Sequence, residues 1–290
     1  MKKLIVFAAI AALVATSCSQ VNMGSSNAPV AKIEKATLAT VAKKVVINEG
    51  PAKEKGYKEI ELGDSGIYCI DMVAAKANAD DNQIITGTYT TTDGKTYILL
   101  GFGTIIIDGN NITIKRTGEA DIEATCTQAD KLPESQFVND IAHSWTIDKI
   151  DISVSAEGKN IGFVKEGCDL EQIGKELIAQ AEKLGVKIEN FDTNTLKGYN
   201  VKRLTVTSSK TFIIEFVTNP PAPFKADVSQ FLDYKFVYEI KNGGGNELIN
   251  ATAECTFTPT SETTAKLRVK VTNKDFSGYV TFIMTKADAQ

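Results

Sequence analysis

The sequence predicts a mainly β protein with two β-rich domains. Three observations carry this. Asp93-Gly94 and Asp108-Gly109 each stand between β-branched runs, the pairing that marks a tight hairpin because its turn needs positive φ. Apolar and polar residues alternate over much of 57–128 and again from 202 to 284, the period of a half-buried strand. One stretch, about 169–184, instead spaces its apolar residues as a helix does.

The first domain is expected over 33–132. Ile33 to Ile47, rich in Ala, Val and Lys, reads as a short helix. Gly50-Pro51 and Gly56 then break the chain. Lys58 to Leu62 and Gly66 to Met72 are strands around the turn Gly63-Asp64-Ser65. Ile84 to Thr91 and Lys95 to Phe102 flank Asp93-Gly94, and Thr104 to Ile107 and Ile112 to Arg116 flank Asp108-Gly109-Asn110. Ala120 to Thr127 puts Ile122, Ala124 and Cys126 on one face. Lys131 to Ser144 reads as a connector: Pro133 suits the first turn of a short helix, and Phe137, Val138 and Ile141 share a helical face.

The second domain, 133–290, opens with a strand from Trp145 to Val154. Asp169 and Gln172 form a capping pair for a helix whose stripe is Leu170, Ile173, Leu177, Ile178, Ala181 and Leu184, stopped by Gly185. Strands follow. Phe212, Ile214 and Phe216 alternate with polar neighbours, as do Leu232, Tyr234, Phe236, Tyr238 and Ile240. Ile249 to Phe257, Leu267 to Val271 and Val280 to Met284 complete a meander that implies antiparallel pairing, best freed of edges by curling into a barrel.

Composition limits the function. The 290 residues are 43% hydrophobic and 23% charged, ordinary for a chain with a real core. The net charge is −4 without a basic cluster, which excludes nucleic acid as the expected partner. Residues 1–18, MKKLIVFAAI AALVATSC, combine Lys2 and Lys3, an apolar run from Leu4 to Val14 and small residues ahead of Cys18. The run is too short to span a bilayer and reads as a secretory signal over 1–17, followed by a small, polar tether over 18–32. Ala15-Thr16-Ser17-Cys18 resembles a bacterial lipobox in the loose form used by Bacteroidetes, which implies cleavage before Cys18 and acylation of its thiol. The other cysteines, Cys69, Cys126, Cys168 and Cys255, allow two disulfides or four buried thiols.

The connector running into His143-Ser144-Trp145-Thr146-Ile147-Asp148-Lys149, followed by a β-meander, resembles the uncharacterised lipocalin-like lipoproteins of Bacteroidetes over about 130–290. The resemblance implies that the second domain is a lipocalin-like antiparallel barrel with one inserted helix, in an envelope protein. Lipocalins proper carry Gly-x-Trp on the first strand; His143 holds the glycine position here, and no binding residue is carried over.

Each candidate for chemistry has a plainer structural explanation. His143 is the only histidine, and no Gly-x-Ser-x-Gly elbow or Cys-x-x-Cys occurs, so catalytic triads and common metal motifs lack their parts. Asp80-Asp81 lacks the spaced ligands of a calcium loop and reads as a solvated turn. Glu215 and Glu239 lie on alternating strands and could face a cavity as paired acids, but solvent-facing strand positions explain them more cheaply. Gly243-Gly244-Gly245 is a hairpin loop without a following helix, and Thr218 to Pro223 a stiff connection. Tyr234, Phe236 and Tyr238 are the candidate ligand-binding residues, if their strand lines a pocket rather than a filled core. The expected function is a non-catalytic, lipid-anchored envelope protein, a binding or structural component of the outer membrane on its periplasmic face, with cell-surface display as the other possibility. Its partners would be the membrane, through the lipid, and an envelope protein or small apolar ligand. No catalytic residue, metal or cofactor is expected. The alternatives are a lipocalin-like carrier of a small apolar ligand or lipid, and an envelope hydrolase.

Overall fold

The computed structural model describes residues 41–73, 82–156, 158–186, 192–218, 223–227, 230–232, 234–240, 251–273 and 276–287. The described chain is mainly β and forms two units. One comprises 41–144 together with Thr205–Ile213; the other comprises Trp145–Leu204 and Ile214–Ala287.

In the first unit β1 (Lys43–Glu49), β2 (Tyr57–Leu62), β3 (Ile67–Val73), β4 (Asn82–Thr91), β5 (Thr96–Leu99), β6 (Gly103–Asp108), β7 (Asn111–Lys115) and β8 (Ile122–Gln128) pair in chain order into a closed antiparallel barrel. β1 closes the ring on β8, with Val46 opposite Thr127 and Ile47 opposite Cys126. The helix expected over Ile33 to Ile47 is therefore corrected within the described residues: 43–49 is a strand, because β2 and β8 supply ladder partners on both sides that outweigh its Ala/Lys composition. Val45 and Ile47 turn into the core, and Lys44 points outward. A short helix α1 (Pro51–Glu54), with Pro at its start, sends fully buried Ala52 into that core. Gly50 precedes it at φ 105°, where an added Cβ would meet the Ala124 backbone at 3.0 Å. The connector contains α2 (Gln136–Ile141), and its cap is Ser135, whose hydroxyl accepts from the Val138 amide at 3.2 Å. Pro133 stands before that cap rather than in the first turn.

In the second unit β9 (Ser144–Ala156) pairs with β10 (Lys159–Glu166), a strand the alternation did not reveal. Then come α3 (Leu170–Lys183), a 3-10 turn (Thr193–Leu196), β11 (Val201–Val206) and β12 (Thr211–Phe216), of which Thr205, Val206 and Thr211–Ile213 count with the first unit, then β13 (Phe224–Asp227), β14 (Gln230–Leu232), β15 (Lys235–Ile240), β16 (Ala251–Pro259), β17 (Thr264–Asn273) and β18 (Phe276–Lys286). The sheet order is β13-β12-β11-β9-β18-β17-β16-β15-β14, with β10 added on β9. The helix forms as its stripe predicts: Asp169 accepts from the Gln172 amide at 3.2 Å, and Leu170, Ile173, Leu177 and Ala181 are buried. Trp145 is buried edge-on against Phe257, 5.3 Å between ring centroids. Both halves are β-rich, as the sequence predicts. The ring closed by strand pairing is the first unit, whereas the order in the second runs from β13 to β14 without returning on itself among the described residues.

Candidate functional site

The closed barrel is the natural place to look for a ligand, and side chains fill it. Its interior packs Val45, Ile47, Ile60, Leu62, Ile70, Leu99, Ile105 and Ile114 around Tyr57, Tyr68, Tyr89, Tyr97 and Phe102. Three of the four phenols donate to backbone acceptors. Tyr68 donates to the Leu100 carbonyl at 2.9 Å, Tyr89 to Gly63 at 2.9 Å, and Tyr97 to Gly94 at 2.6 Å. Burial drives the phenols of Tyr89 and Tyr97 well above their ordinary range, so they act as fixed donors at any physiological pH. Gly87 on β4 lies opposite Tyr68 on β3, where a Cβ would come within 2.6 Å of the ring. The glycine thus makes room for the aromatic plug.

Beside α1 an open groove of about 560 Å³ is lined by Lys55, Tyr57, Met72, Arg116, Glu119 and Ile122, among others. Arg116 is already engaged there, 3.2 Å from Glu119 and 5.3 Å from the centroid of the Phe102 ring. Burial raises the Tyr57 phenol, partly offset by the nearby Arg116 charge.

The most heavily built polar site lies on the outer side of β1 to β3. Lys44 and Glu61, opposite each other in the ladder, are both buried. The Lys44 ammonium sits 3.4 Å from Glu59 and donates to the Thr211 hydroxyl at 3.2 Å. The Thr207 hydroxyl donates to Glu61. Asp64 accepts from the Ser208 amide and from the Ser208 hydroxyl, both at 2.8 Å. The turn at Lys210 has φ 63°, and the Leu132 amide donates to the Ser208 carbonyl at 2.8 Å. Chemically this is a clasp, in which carboxylates and an ammonium hold the segment Thr205–Ile213 through charge-assisted hydrogen bonds. Sequence reasoning missed it. The only signal was the polar run Thr207-Ser208-Ser209-Lys210-Thr211, four residues between two strands and the first residue of the second strand.

The residues singled out from sequence do not converge. Cys18, Asp80-Asp81, Pro220-Pro221 and Gly243-Gly244-Gly245 lie outside the described residues. Tyr234 precedes β15 in a turn at φ 64°, so the strand face expected of Tyr234, Phe236 and Tyr238 is reduced to the last two, placed at alternate positions opposite Cys255 and Ala253. The side chains of Phe236, Tyr238 and Glu239 lie outside the described residues. Glu215 is not solvent-facing; it is buried in a bidentate pair with Arg203, at 2.5 and 2.8 Å. His143 is buried too, and its Nε2 donates to the Asn139 carbonyl at 3.0 Å, which makes it a packed structural group. Cys69, Cys126, Cys168 and Cys255 are free, buried thiols, the second of the two readings left open. Burial pushes the thiols of Cys126, Cys168 and Cys255 up, so they stay protonated and unreactive.

No protein-family model and no curated protein matches the chain. Among solved structures it is similar to a protein of unknown function from the DUF3598 family of Nostoc punctiforme, at 7% identity and a TM-score of 0.22, covering 87% of this chain and 98% of that one. It is also similar to a tryptophan-to-alanine mutant of the vaccine antigen Transferrin Binding Protein B from Haemophilus parasuis, at 10% identity and a TM-score of 0.26, covering 77% of this chain. The match spans about half of that antigen's chain, 51%. At these scores neither likeness says what this chain does.

Proposed function

We propose that this chain is a lipid-anchored, non-catalytic component of the bacterial outer membrane that binds or braces other envelope components from the periplasmic face. The observation that carries the reading is the N-terminal sequence: Lys2 and Lys3, the apolar run from Leu4 to Val14, and Cys18 directly after small residues. Two structural observations support it. The closed barrel is packed with aliphatic and tyrosine side chains, which suits a rigid scaffold better than a cup for an apolar ligand. Two of the groups singled out for a hydrolase are committed elsewhere: Glu215 to Arg203, and His143 to a backbone carbonyl.

The test is metabolic labelling with a fatty acid, combined with membrane fractionation. Wild-type protein should carry the label and sediment with outer membranes. Cys18→Ser should lose the label and appear as soluble or uncut protein. A Ser variant that sediments with membranes at the wild-type level would refute the anchor. Protease added to intact cells should spare the protein; digestion there would move it to the cell surface.

A further inference from the structure

The outward face of the second sheet carries a line of cations. On β17, Lys266, Arg268 and Lys270 alternate with buried Leu267 and Val269. The three therefore share one face, about 7 Å apart at the rise of a strand. The ladder sets their neighbours. Lys266 lies between Thr258 and Ile283, Arg268 between Thr256 and Thr281, and Lys270 between Glu254 and Tyr279. Glu254 neutralises Lys270 at 3.3 Å. Lys266 and Arg268 have no acid beside them in the ladder; Asp151 on β9 lies two strands from Arg268, roughly 10 Å away at ordinary strand spacing. The Arg268 guanidinium carbon sits 3.8 Å from the centroid of the Tyr279 ring. A guanidinium laid on an aromatic face is held in place and keeps its N–H edge for an oxyanion.

We propose that this face binds a linear anionic polysaccharide, with carboxylate or sulfate groups on Lys266 and Arg268 and sugar hydroxyls on the threonines beside them. The number of unpaired cations decides against a membrane. On this face Lys270 and Lys149 are paired, with Glu254 and Glu166, which leaves Lys266, Arg268 and, across Thr256 from Arg268, Lys235 without an acid beside them in the ladder, fewer than the about four to eight Lys and Arg that membrane-binding patches gather. Thr256, Thr258 and Thr281 supply hydroxyls that both donate and accept, as a sugar requires. The whole chain is acidic, at −4, so the row is a local feature against the overall charge. The proposal names a partner for the binding role above and rests on that reading only for location, since the face itself needs no lipid anchor.

The test uses the complete chain carrying Cys18→Ser, so that no acyl group contributes, and its failure is independent of the anchor. Titration at low salt should show binding to dextran sulfate or to alginate, a polyuronate, and none to neutral dextran, with affinity falling as salt screens the contact. Lys266→Gln with Arg268→Gln should weaken that binding about tenfold, close to 1.4 kcal/mol, with an unchanged thermal melt. Lys95→Gln with Lys115→Gln, two exposed cations of the first unit, should change it less than about twofold. Absence of binding to both polyanions overturns the proposal, as does an equal loss in the control pair. Tighter binding to phosphatidylglycerol vesicles that is lost with Lys266 and Arg268 also overturns it, and assigns the face to a membrane.

Discussion

The outer side of β1 to β3 and the outer side of β16 to β18 look alike in sequence, with charged residues alternating with apolar ones. In the fold their circumstances are opposite. Lys44 and Glu61 are buried, the latter only 1% exposed, beneath Thr207, Ser208 and Thr211. Lys266, Arg268 and Glu254 stand exposed on an open face. Alternation with period two says which residues leave their own sheet's core; it does not say whether they then meet water or another segment. The cost of that difference is electrostatic. A pair in water gains and loses little, whereas a buried charge depends on each partner it keeps.

The comparison can be broken most sharply at Lys44. Lys44→Ala removes the cation between Glu59 and Thr211 while leaving buried carboxylates behind. It should lower unfolding free energy by about 3–5 kcal/mol, the cost of stranding one half of a buried pair, as read by urea denaturation. A loss below about 1 kcal/mol would mean that water reaches the clasp. Next comes the barrel interior, where packing rather than charge is at stake. Gly87→Ala drives a methyl group into the Tyr68 ring, whose hydroxyl is pinned to Leu100, and should cost about 1–3 kcal/mol by overpacking. An unchanged melt would show that the ring has room to move. On the open face Lys270→Ala removes a half-exposed partner of Glu254 and should cost under about 1 kcal/mol.

The smallest effect is a titration. Asp93 is fully exposed, yet the Thr96 and Lys95 amides and the Thr96 hydroxyl all donate to its carboxylate, holding its pKa down at about 2 from an ordinary 3.8. Because the folded value is the lower one, whatever this turn adds to stability is present above 3.8 and fades as pH falls through about 2. A carboxyl carbon shift followed by NMR should show that midpoint; a midpoint near 4 would contradict the turn geometry.

Local chemistry made most of the strands legible. Asp93-Gly94 and Asp108-Gly109 placed the turns of two hairpins, with the flanking strand ends right to within a residue although β5 stops at Leu99, short of Phe102, and the cap and stripe of α3 fixed the helix. What failed depended on distant partners. β1 (KKVVINE) is short and follows an Ala- and Lys-rich stretch that suits a helix, so the eighth strand of the ring, and with it the closure, was hidden until β2 and β8 paired with it. β10 has few buried positions and alternates weakly, with Ile161 buried but Val164 exposed. Glu215 read as a solvent-facing carboxylate because nothing in its own strand announces Arg203, twelve residues earlier. The clasp was invisible for the same reason: Asp64 and Ser208 are 144 residues apart.

That last contact offers the most direct test of a buried clasp against an open face. A double-mutant cycle of Asp64→Ala and Ser208→Ala isolates the bond between carboxylate and hydroxyl from the other effects of each change. A buried hydrogen bond to a charged acceptor should give a coupling of about 1.5 kcal/mol or more, while the same cycle on Glu254 and Lys270 should stay under about 0.5 kcal/mol. Coupling between Asp64 and Ser208 indistinguishable from zero would mean that the segment Thr205–Ile213 does not rest on the barrel as described, and the contrast between the two faces would fall with it.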